Sequence, residues 1–480
     1  MKQKAILVCL WLAAPAVAAQ PEEIARLRQQ LDAQSDQMRA MAQRIESLEK
    51  LVAGLAGSPP PAKGPQASAP PPKPAEAEPR TRLHISGFAD FTSIYRSAFT
   101  ATGISTGFGS IPLDRAPESQ LGEFRGTASH SRLSFRLDTK LGGRDLTAYA
   151  ETDFHGAAQP NAFAGSNPHP LRMRLYWVQW RSPRWELLGG QSWSLLALNR
   201  RGISPIPGDI MSTQLIDPNY NVGMVWTRQA TIRVTRKWDR WTAAAAIENP
   251  EQNLLDPRQV PPGVLGLFNR TTPGSNLLPD VVVKLAYDTP AVHLEGAAIT
   301  RGFQAYSSNI GVKSRAAGMG TSLSGVIHAG RRVDLVSQNY VASGGGRYAQ
   351  GLVPDVVVRP DGRLVRVFTA SFLEGVEMNL PAGWQVYGYY GVVYGRRAVY
   401  RLPNGTWVGF GAPTGSAVDN RTVAQTTAGF RHTFWREDGR GALSYAINYS
   451  YLTRKLWEAQ ASGDAGHAHM LYTSFRYNLP

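Results

Sequence analysis

Arginine is the residue type in this sequence whose number and spacing suggest a chemical role. From Arg82 onward the chain carries 41 basic and 28 acidic side chains, and 36 of the basic ones are arginines. A guanidinium stays charged in every environment and holds a carboxylate through two parallel hydrogen bonds. The excess therefore predicts binding of small anions. A basic chain can also bind nucleic acid, but the secretion signal described below excludes that partner.

Eight arginines are the candidates for an anion-binding passage. Arg132 and Arg136 alternate with apolar residues, so their side chains share the polar face of one predicted strand. Rings of cationic side chains select anions by lowering their electrostatic barrier. We predict that such a ring contains Arg132, Arg136, Arg172, Arg174, Arg200, Arg201, Arg228 and Arg233. Two alternatives stay open, since outer arginines could bind the phosphates of lipopolysaccharide and loop arginines could lie in solvent.

The elements that must position these arginines are extended segments joined by short and long connections in alternation. Seven connections are short and rich in turn-forming residues, at 141–144, 181–184, 237–240, 289–290, 329–330, 380–383 and 437–440. Eight are long and rich in Gly and Pro, at 97–129, 155–170, 194–221, 250–278, 302–313, 343–363, 397–419 and 455–466. They imply sixteen antiparallel strands. Short turns at one end and long loops at the other are typical of a bacterial outer-membrane β-barrel.

The predicted strands each have one apolar and one polar face. In the second strand Leu133, Phe135 and Leu137 alternate with polar side chains that include Arg132 and Arg136. Neighbours on a strand point to opposite faces, so the apolar set should face lipid and the polar set a water-filled lumen. The third long connection stands where such barrels commonly narrow. We expect it to fold inward and to set Arg200 and Arg201 against arginines of the wall.

The residues before the barrel predict three further segments. Lys2 and Lys4, an apolar run and small residues around Ala18 form a secretory signal peptide over 1–19. Apolar residues at alternating steps of three and four predict a coiled-coil helix over 20–57. Pro-rich residues 58–81 read as a linker. The fold class is thus all-β, a sixteen-stranded antiparallel transmembrane barrel over 82–480 with an N-terminal periplasmic coiled coil.

Short motifs along the chain resemble one family, the DcaP-type trimeric outer-membrane porins. They are Ile85-Ser86-Gly87-Phe88, Ser131-Arg132-Leu133-Ser134-Phe135, Gly189-Gly190-Gln191-Ser192-Trp193-Ser194, Glu248-Asn249-Pro250, Leu278-Pro279-Asp280 and Gly345-Gly346-Arg347-Tyr348. The resemblance runs nearly end to end and implies a homotrimer that passes small anions such as dicarboxylates. The chain departs from the usual pattern of outer-membrane proteins in ending on Leu479-Pro480 in place of an aromatic residue.

We weighed other functions against this one. A barrel hydrolase needs a serine beside a histidine, for which His130 and Ser131 are available, but the sequence has no Gly-x-Ser-x-Gly elbow. His467 and His469 share one strand face without a recognisable third metal ligand. We therefore expect a porin without enzymatic activity, metal or cofactor, with lipid, lipopolysaccharide and anionic solutes as its partners. An outer-membrane hydrolase of the phospholipase type and a more selective channel, such as one for phosphate, stay open as the alternatives.

Overall fold

The computed structural model describes residues 43, 81–156, 169–206, 210–215, 220–254, 256, 260–267, 273–413 and 416–480. The chain divides into two compact units, residues 1–76 and 77–480, and these ranges belong almost entirely to the second. The predicted signal peptide, coiled coil and linker lie outside the described residues, apart from residues 43 and 81. Those three segments stay predictions.

The described chain is made almost entirely of strands. They are β1 (Arg82–Arg96), β2 (Glu123–Thr127), β3 (Arg132–Leu141), β4 (Arg144–Asp153), β5 (Arg172–Arg181), β6 (Trp185–Trp193), β7 (Arg228–Trp238), β8 (Trp241–Glu248), β9 (Val264–Leu265), β10 (Asp280–Asp288), β11 (Val292–Ser307), β12 (Val312–His328), β13 (Val333–Ser343), β14 (Val356–Val358), β15 (Leu364–Arg366), β16 (Phe368–Asn379), β17 (Trp384–Gly395), β18 (Ala398–Arg401), β19 (Trp407–Phe410), β20 (Asn420–Glu437), β21 (Gly441–Gln460) and β22 (Gly463–Asn478). One helix, α1 (Met211–Leu215), and 3-10 turns at Phe108–Ser110, Pro117–Gln120 and Gly346–Tyr348 complete them.

Sixteen of these strands close into one antiparallel barrel, as the sequence predicted. Each pairs with its neighbour along the chain, and β1 closes the ring by pairing with both β22 and β3. At the closure Phe91 lies opposite Phe475, while Phe88 lies opposite Arg132 on the other side of β1. The short strands β2 and β9 extend the sheet along β1 and β11. Closure leaves the barrel without an exposed sheet edge.

All seven predicted short turns join consecutive strands at one end of the barrel, here called the turn end. At the opposite, loop end, two of the eight predicted long connections are shorter than expected. Most of the predicted loops 302–313 and 455–466 are strand, because the hairpins β11–β12 and β21–β22 stay paired almost to their turns. Tyr306 pairs with Lys313 there, and Gln460 with Gly463. Gly and Ser in these segments suggested loops, but sheet pairing persists through them.

The two faces of the strands confirm the predicted alternation. On β1 the side chains of Leu83 and Phe91 are 60% and 54% exposed, whereas Asp90 and Arg96 are 3% and 0% exposed. Large exposed apolar residues recur around the wall, for example Ile232 on β7 and Leu323 on β12. The barrel therefore has an apolar exterior and a polar interior. Among the described residues, no helix is long and apolar enough to cross a membrane.

Connections at the loop end are numbered by their order along the chain, and described residues of several of them are buried inside the barrel. The first connection is 97–131, the third is 194–227 and the sixth is 344–367. Apolar residues of the third, such as Leu196, Ile210 and Val222, are at most 1% exposed and join one core with Val353 and other residues. The lumen is thus filled in part by packed loops. This corrects the expectation of an open water-filled lumen, because apolar loop residues need burial as strand residues do.

Candidate functional site

The third connection lies inside the barrel and is held to the wall by carboxylates. Glu248 of β8 accepts hydrogen bonds from the Ser194 hydroxyl (2.8 Å) and the Leu195 amide (2.7 Å). Glu295 of β11 accepts one from the Asn199 side chain at 3.2 Å, and Lys284 donates to the Ala197 carbonyl at 2.7 Å. These buried charge-assisted bonds fix the start of the connection. Its inward path is therefore as the sequence predicted.

Arg200 continues this anchoring on the far side of the lumen. Its guanidinium lies 2.6 Å from Glu377 of β16 and 3.6 Å from Asp334 of β13. Glu377 also accepts from the Met211 amide and the Tyr389 hydroxyl. The expectation that Arg200 faces arginines of the wall is corrected, because the guanidinium contacts these two carboxylates. Its neighbour Arg201 is exposed.

The end of the third connection returns along the same wall. The Val222 amide donates to Gln425 of β20, and Ser371 of β16 donates to the Gly223 carbonyl at 2.8 Å. Gly223 has a φ of +96°, and a Cβ there would lie 2.0 Å from the Phe372 carbonyl oxygen. Only glycine allows this approach. The end of the connection thus lies against β16 and β20.

Three of the predicted arginines form a ladder with two carboxylates on β3, β4 and β5. Asp153 lies 2.6 Å from Arg172 and 2.8 Å from Arg174. Glu151 lies 2.7 Å from Arg174 and 3.6 Å from Arg132. Three guanidinium groups thus meet two carboxylates, which leaves a net positive charge on the inner faces of β3, β4 and β5. The carboxylates hold the guanidinium groups in fixed orientations.

The remaining predicted arginines occupy different surroundings. Arg136 is 48% exposed and lies 2.9 Å from Asp138, toward the turn end of β3. Arg233 of β7 is 3% exposed and donates to the Ser204 carbonyl at 3.3 Å. Arg228, at the loop end of β7, lies over the Trp193 ring at 5.3 Å. Only some of the eight arginines therefore lie close together, and whether each meets a passing solute stays a prediction.

A cavity of about 380 Å³ opens between the first, third and sixth connections near the loop end. Two predicted arginines, Arg172 and Arg228, line it together with His130, His155, Tyr220, Trp226 and residues of 105–110 and 350–352. Val418 and Asn420 complete the lining. None of the described residues that line it is Asp or Glu. The cavity therefore presents cations and aromatic rings but no lining carboxylate.

The walls of this cavity are held in place by side chains behind them. Arg96, fully buried, donates to the carbonyls of Gly103 and Ile104, each at 2.9 Å. Asn420 and Arg454 both donate to the Gly109 carbonyl at 2.9 Å. Buried donors on backbone carbonyls fix a loop that has no regular structure of its own. These bonds therefore hold the backbone that lines the cavity.

Sequence reasoning missed four side chains of this cavity. His130 and His155 lie with ring centroids 4.5 Å apart, and Tyr220 and Trp226 are likewise 4.5 Å apart. His130 was considered only as a hydrolase residue. These four come from three separate connections, so no spacing in the sequence brings them together. The one available signal is that Trp226 and Arg228 stand two residues apart at the start of β7.

A buried ionic cluster joins the sixth connection to β10 and β11. Arg301 of β11, 2% exposed, lies 2.9 Å from Asp280 and 2.8 Å from Asp355. The Tyr348 hydroxyl donates to Asp280 at 2.8 Å. Burial, and then the nearby Glu248 and Asp280 carboxylates, raise the pKa of Tyr348 well above its ordinary value. The phenol therefore stays protonated and donates this bond at all ordinary pH values.

The candidates for metal binding do not form a site in the part of the chain that is described. No group of three or more His, Cys, Asp or Glu side chains there is placed to hold a metal ion. His467 lies 2.8 Å from Asp114, and His469 lies 2.7 Å from the Tyr449 hydroxyl. Both histidines are exposed on the outer side of β22. They act as hydrogen-bonding partners of neighbouring side chains.

Comparison with known proteins identifies similar folds. No family model and no curated protein matches the sequence. The outer membrane channel DcaP of Acinetobacter baumannii matches with a TM-score of 0.63 at 14% identity, over 84% of this chain and 99% of that chain. An anion-selective porin from Comamonas acidovorans matches with a TM-score of 0.49 at 12% identity, over 83% of this chain and 100% of that chain. At such identities the likeness is one of fold.

Proposed function

Because this chain has the fold of the outer membrane channel DcaP, we propose that it is an outer-membrane porin for small hydrophilic solutes, preferably anions such as dicarboxylates. It would act as a homotrimer in the outer membrane of a Gram-negative bacterium, with the N-terminal coiled coil in the periplasm. The observation that carries the proposal is the cavity with Arg172 and Arg228 in its lining and no lining carboxylate among the described residues. Such a cavity favours anions over cations.

Charged side chains on β3, β4 and β5 support this preference. Three guanidinium groups, those of Arg132, Arg172 and Arg174, lie at the carboxylates of Asp153 and Glu151. Ion pairing here orients the guanidinium groups and does not cancel them. A dicarboxylate that enters at the loop end would then meet Arg172 and Arg228. The fold needs no chemical step for this function.

The proposal predicts anion selectivity that depends on the cavity arginines. The reversal potential of the purified protein in a planar bilayer under a salt gradient should show preference for chloride over potassium. The double variant Arg172→Gln and Arg228→Gln should lower that preference by about five-fold per arginine, if ions pass within about 4 Å in water-like surroundings. Succinate should interrupt the wild-type current, and a trimer should close in three steps.

Arg440→Gln is the control for this experiment. Arg440 lies in the turn between β20 and β21 at the turn end, with 71% of its side chain exposed. The substitution also removes positive charge, but far from the cavity. Salt screens this exposed charge, so the change in selectivity should be small. A cation-selective wild-type channel, or a double variant with unchanged reversal potential, would contradict the proposal.

The apolar exterior predicts a second result, which concerns membrane insertion. Leu323 of β12 is 66% exposed and lies between Thr321 and Gly325 on the outer face. Leu323→Arg should destabilise the folded barrel in lipid by about 2–4 kcal/mol, the cost of an arginine near the bilayer midplane. The free energy of unfolding in urea from lipid vesicles measures it. Leu323→Ile is the matched control, and equal stability of both variants would show that this face does not meet lipid.

A further inference from the structure

The lining of the loop-end cavity is more apolar than an anion site requires. Three aromatic side chains, Phe108, Tyr220 and Trp226, face the same space as Arg172 and Arg228. Leu352 and Val418 add aliphatic surface. A small dicarboxylate offers charge to the arginines but nothing to these rings. The composition of the lining therefore fits a ligand that has one anionic end and one apolar end.

The rings form a continuous surface on one side of the cavity. The centroids of Tyr220 and Trp226 lie 4.5 Å apart, and those of Trp193 and Trp226 lie 6.2 Å apart. Arg228 lies over the Trp193 ring at 5.3 Å, so this cluster carries its own cation. Offset and tilted contacts at such distances are those that aromatic rings prefer. A further planar ring could join the cluster from the cavity.

The second cation of the lining, Arg172, lies on another element. Arg172 begins β5, and its Nη2 bonds Asp153, which is fully buried behind it. His155 follows β4, and its ring lies beside that of His130. Asp153 does not line the cavity, and its carboxylate orients the Arg172 guanidinium from the buried side. The anionic end of a ligand would therefore meet Arg172 and Arg228.

The cavity has the size and rigidity of a binding site for a small molecule. Its volume of about 380 Å³ falls in the range of ligand pockets, and its lining mixes apolar surface with a few polar groups in the usual way. Gln350 is fixed by its bond to the Asn221 carbonyl at 2.7 Å, and Gly109 by Asn420 and Arg454. A preformed site spends less binding energy on ordering its own loops.

We propose that this cavity is a binding subsite for aromatic carboxylates, with the ring of the ligand against Tyr220 and Trp226 and its carboxylate at Arg172 and Arg228. The inference rests on the proposed porin function and names a solute class for it. The subsite stands at the loop end, where solutes would enter. It raises the local concentration of such solutes above the narrow part of the lumen, and it releases them without any chemical change.

The test compares benzoate, acetate and succinate as blockers of single-channel current, each added at the loop side in a planar bilayer. Benzoate should interrupt the wild-type current at a concentration about five- to ten-fold lower than acetate, which carries the same charge without the ring. Trp226→Leu should abolish the difference. Phe108→Leu, in the first connection, should reduce it and serves if the first variant does not fold.

Tyr390→Leu is the matched control, because Tyr390 is 53% exposed on the outer face of β17 and should keep the full preference. Equal block by benzoate and acetate in an anion-selective wild-type channel would overturn the subsite and leave the proposed function standing. A preference that survives in both cavity variants would overturn its location. A cation-selective wild type would overturn the proposed function and this inference with it.

Discussion

Glu377→Ala is expected to release the third connection from the wall and to raise the single-channel conductance. Glu377 is fully buried and accepts from Arg200, the Met211 amide and the Tyr389 hydroxyl. The substitution removes three hydrogen bonds to a buried charge, each of which contributes about 1.5–3 kcal/mol, while Arg200 keeps the more distant Asp334 at 3.6 Å. The connection should then leave its place against β16, widen the passage and add noise to the open current.

The measurement is conductance in a planar bilayer, after a heat-modifiability gel has shown that the variant barrel is folded. Glu437→Ala is the control, since Glu437 lies in the turn at the opposite end, 46% exposed, beside Arg440. Glu377→Gln should lie between the two, because it keeps the hydrogen-bond acceptor for Met211 but loses the charge. Unchanged conductance in a folded Glu377→Ala barrel would mean that other bonds alone hold the connection.

Arg301→Met should be the most destabilising single substitution among those considered. It leaves Asp280 and Asp355 buried without the guanidinium that lies within 2.9 Å of each, and it removes the bond to the Gly344 carbonyl. We expect a loss of about 3–5 kcal/mol in the free energy of unfolding. Urea unfolding from lipid vesicles measures it. The sixth connection should also become sensitive to protease, since Asp355 lies within it.

The control for this variant is Arg359→Met, which breaks a pair with Asp361 whose side chains are 47% and 43% exposed. An exposed pair contributes about 1 kcal/mol or less. The triple variant that adds Asp280→Asn and Asp355→Asn to Arg301→Met should recover part of the loss, because it removes the two uncompensated charges. Full stability of Arg301→Met alone would show that the cluster does not hold the loops.

The barrel could be predicted from the sequence because its signals are local. A strand that meets lipid on one side alternates strictly, as Leu133, Phe135 and Leu137 do, and a tight turn needs particular residues within a few positions. Sixteen strands, seven turns and the inward third connection follow from these. The tall hairpins β11–β12 and β21–β22 were mistaken for loops because beyond the lipid neither face must be apolar. There the alternation fades while the backbone pairing continues.

The interior could be predicted only in outline. The sequence indicates that arginines face inward, but their partners come from strands far apart in the chain, as Glu377 does for Arg200. The cavity is lined by His130, Tyr220 and Leu352 from three different connections. These connections lack the regular hydrophobic pattern that predicts strands and helices. The number of strands predicts a water-filled lumen, but apolar loop residues that pack against one another occupy part of this space. Tertiary contacts of this kind carry no signature in a single sequence.

The strands of the barrel differ in length, and this affects which surface the protein exposes outside the cell. β21 has 20 residues and β8 has 8, so at about 3.3 Å per residue they span roughly 66 and 26 Å along the strand. The hydrocarbon band needs about 25 Å. With the loop end outside the cell, as proposed, β20–β22 and β11–β12 extend beyond the membrane as rigid, hydrogen-bonded β-sheet. An antibody or a phage that binds there would meet a fixed epitope, and loop-length variation would offer the bacterium little escape from it.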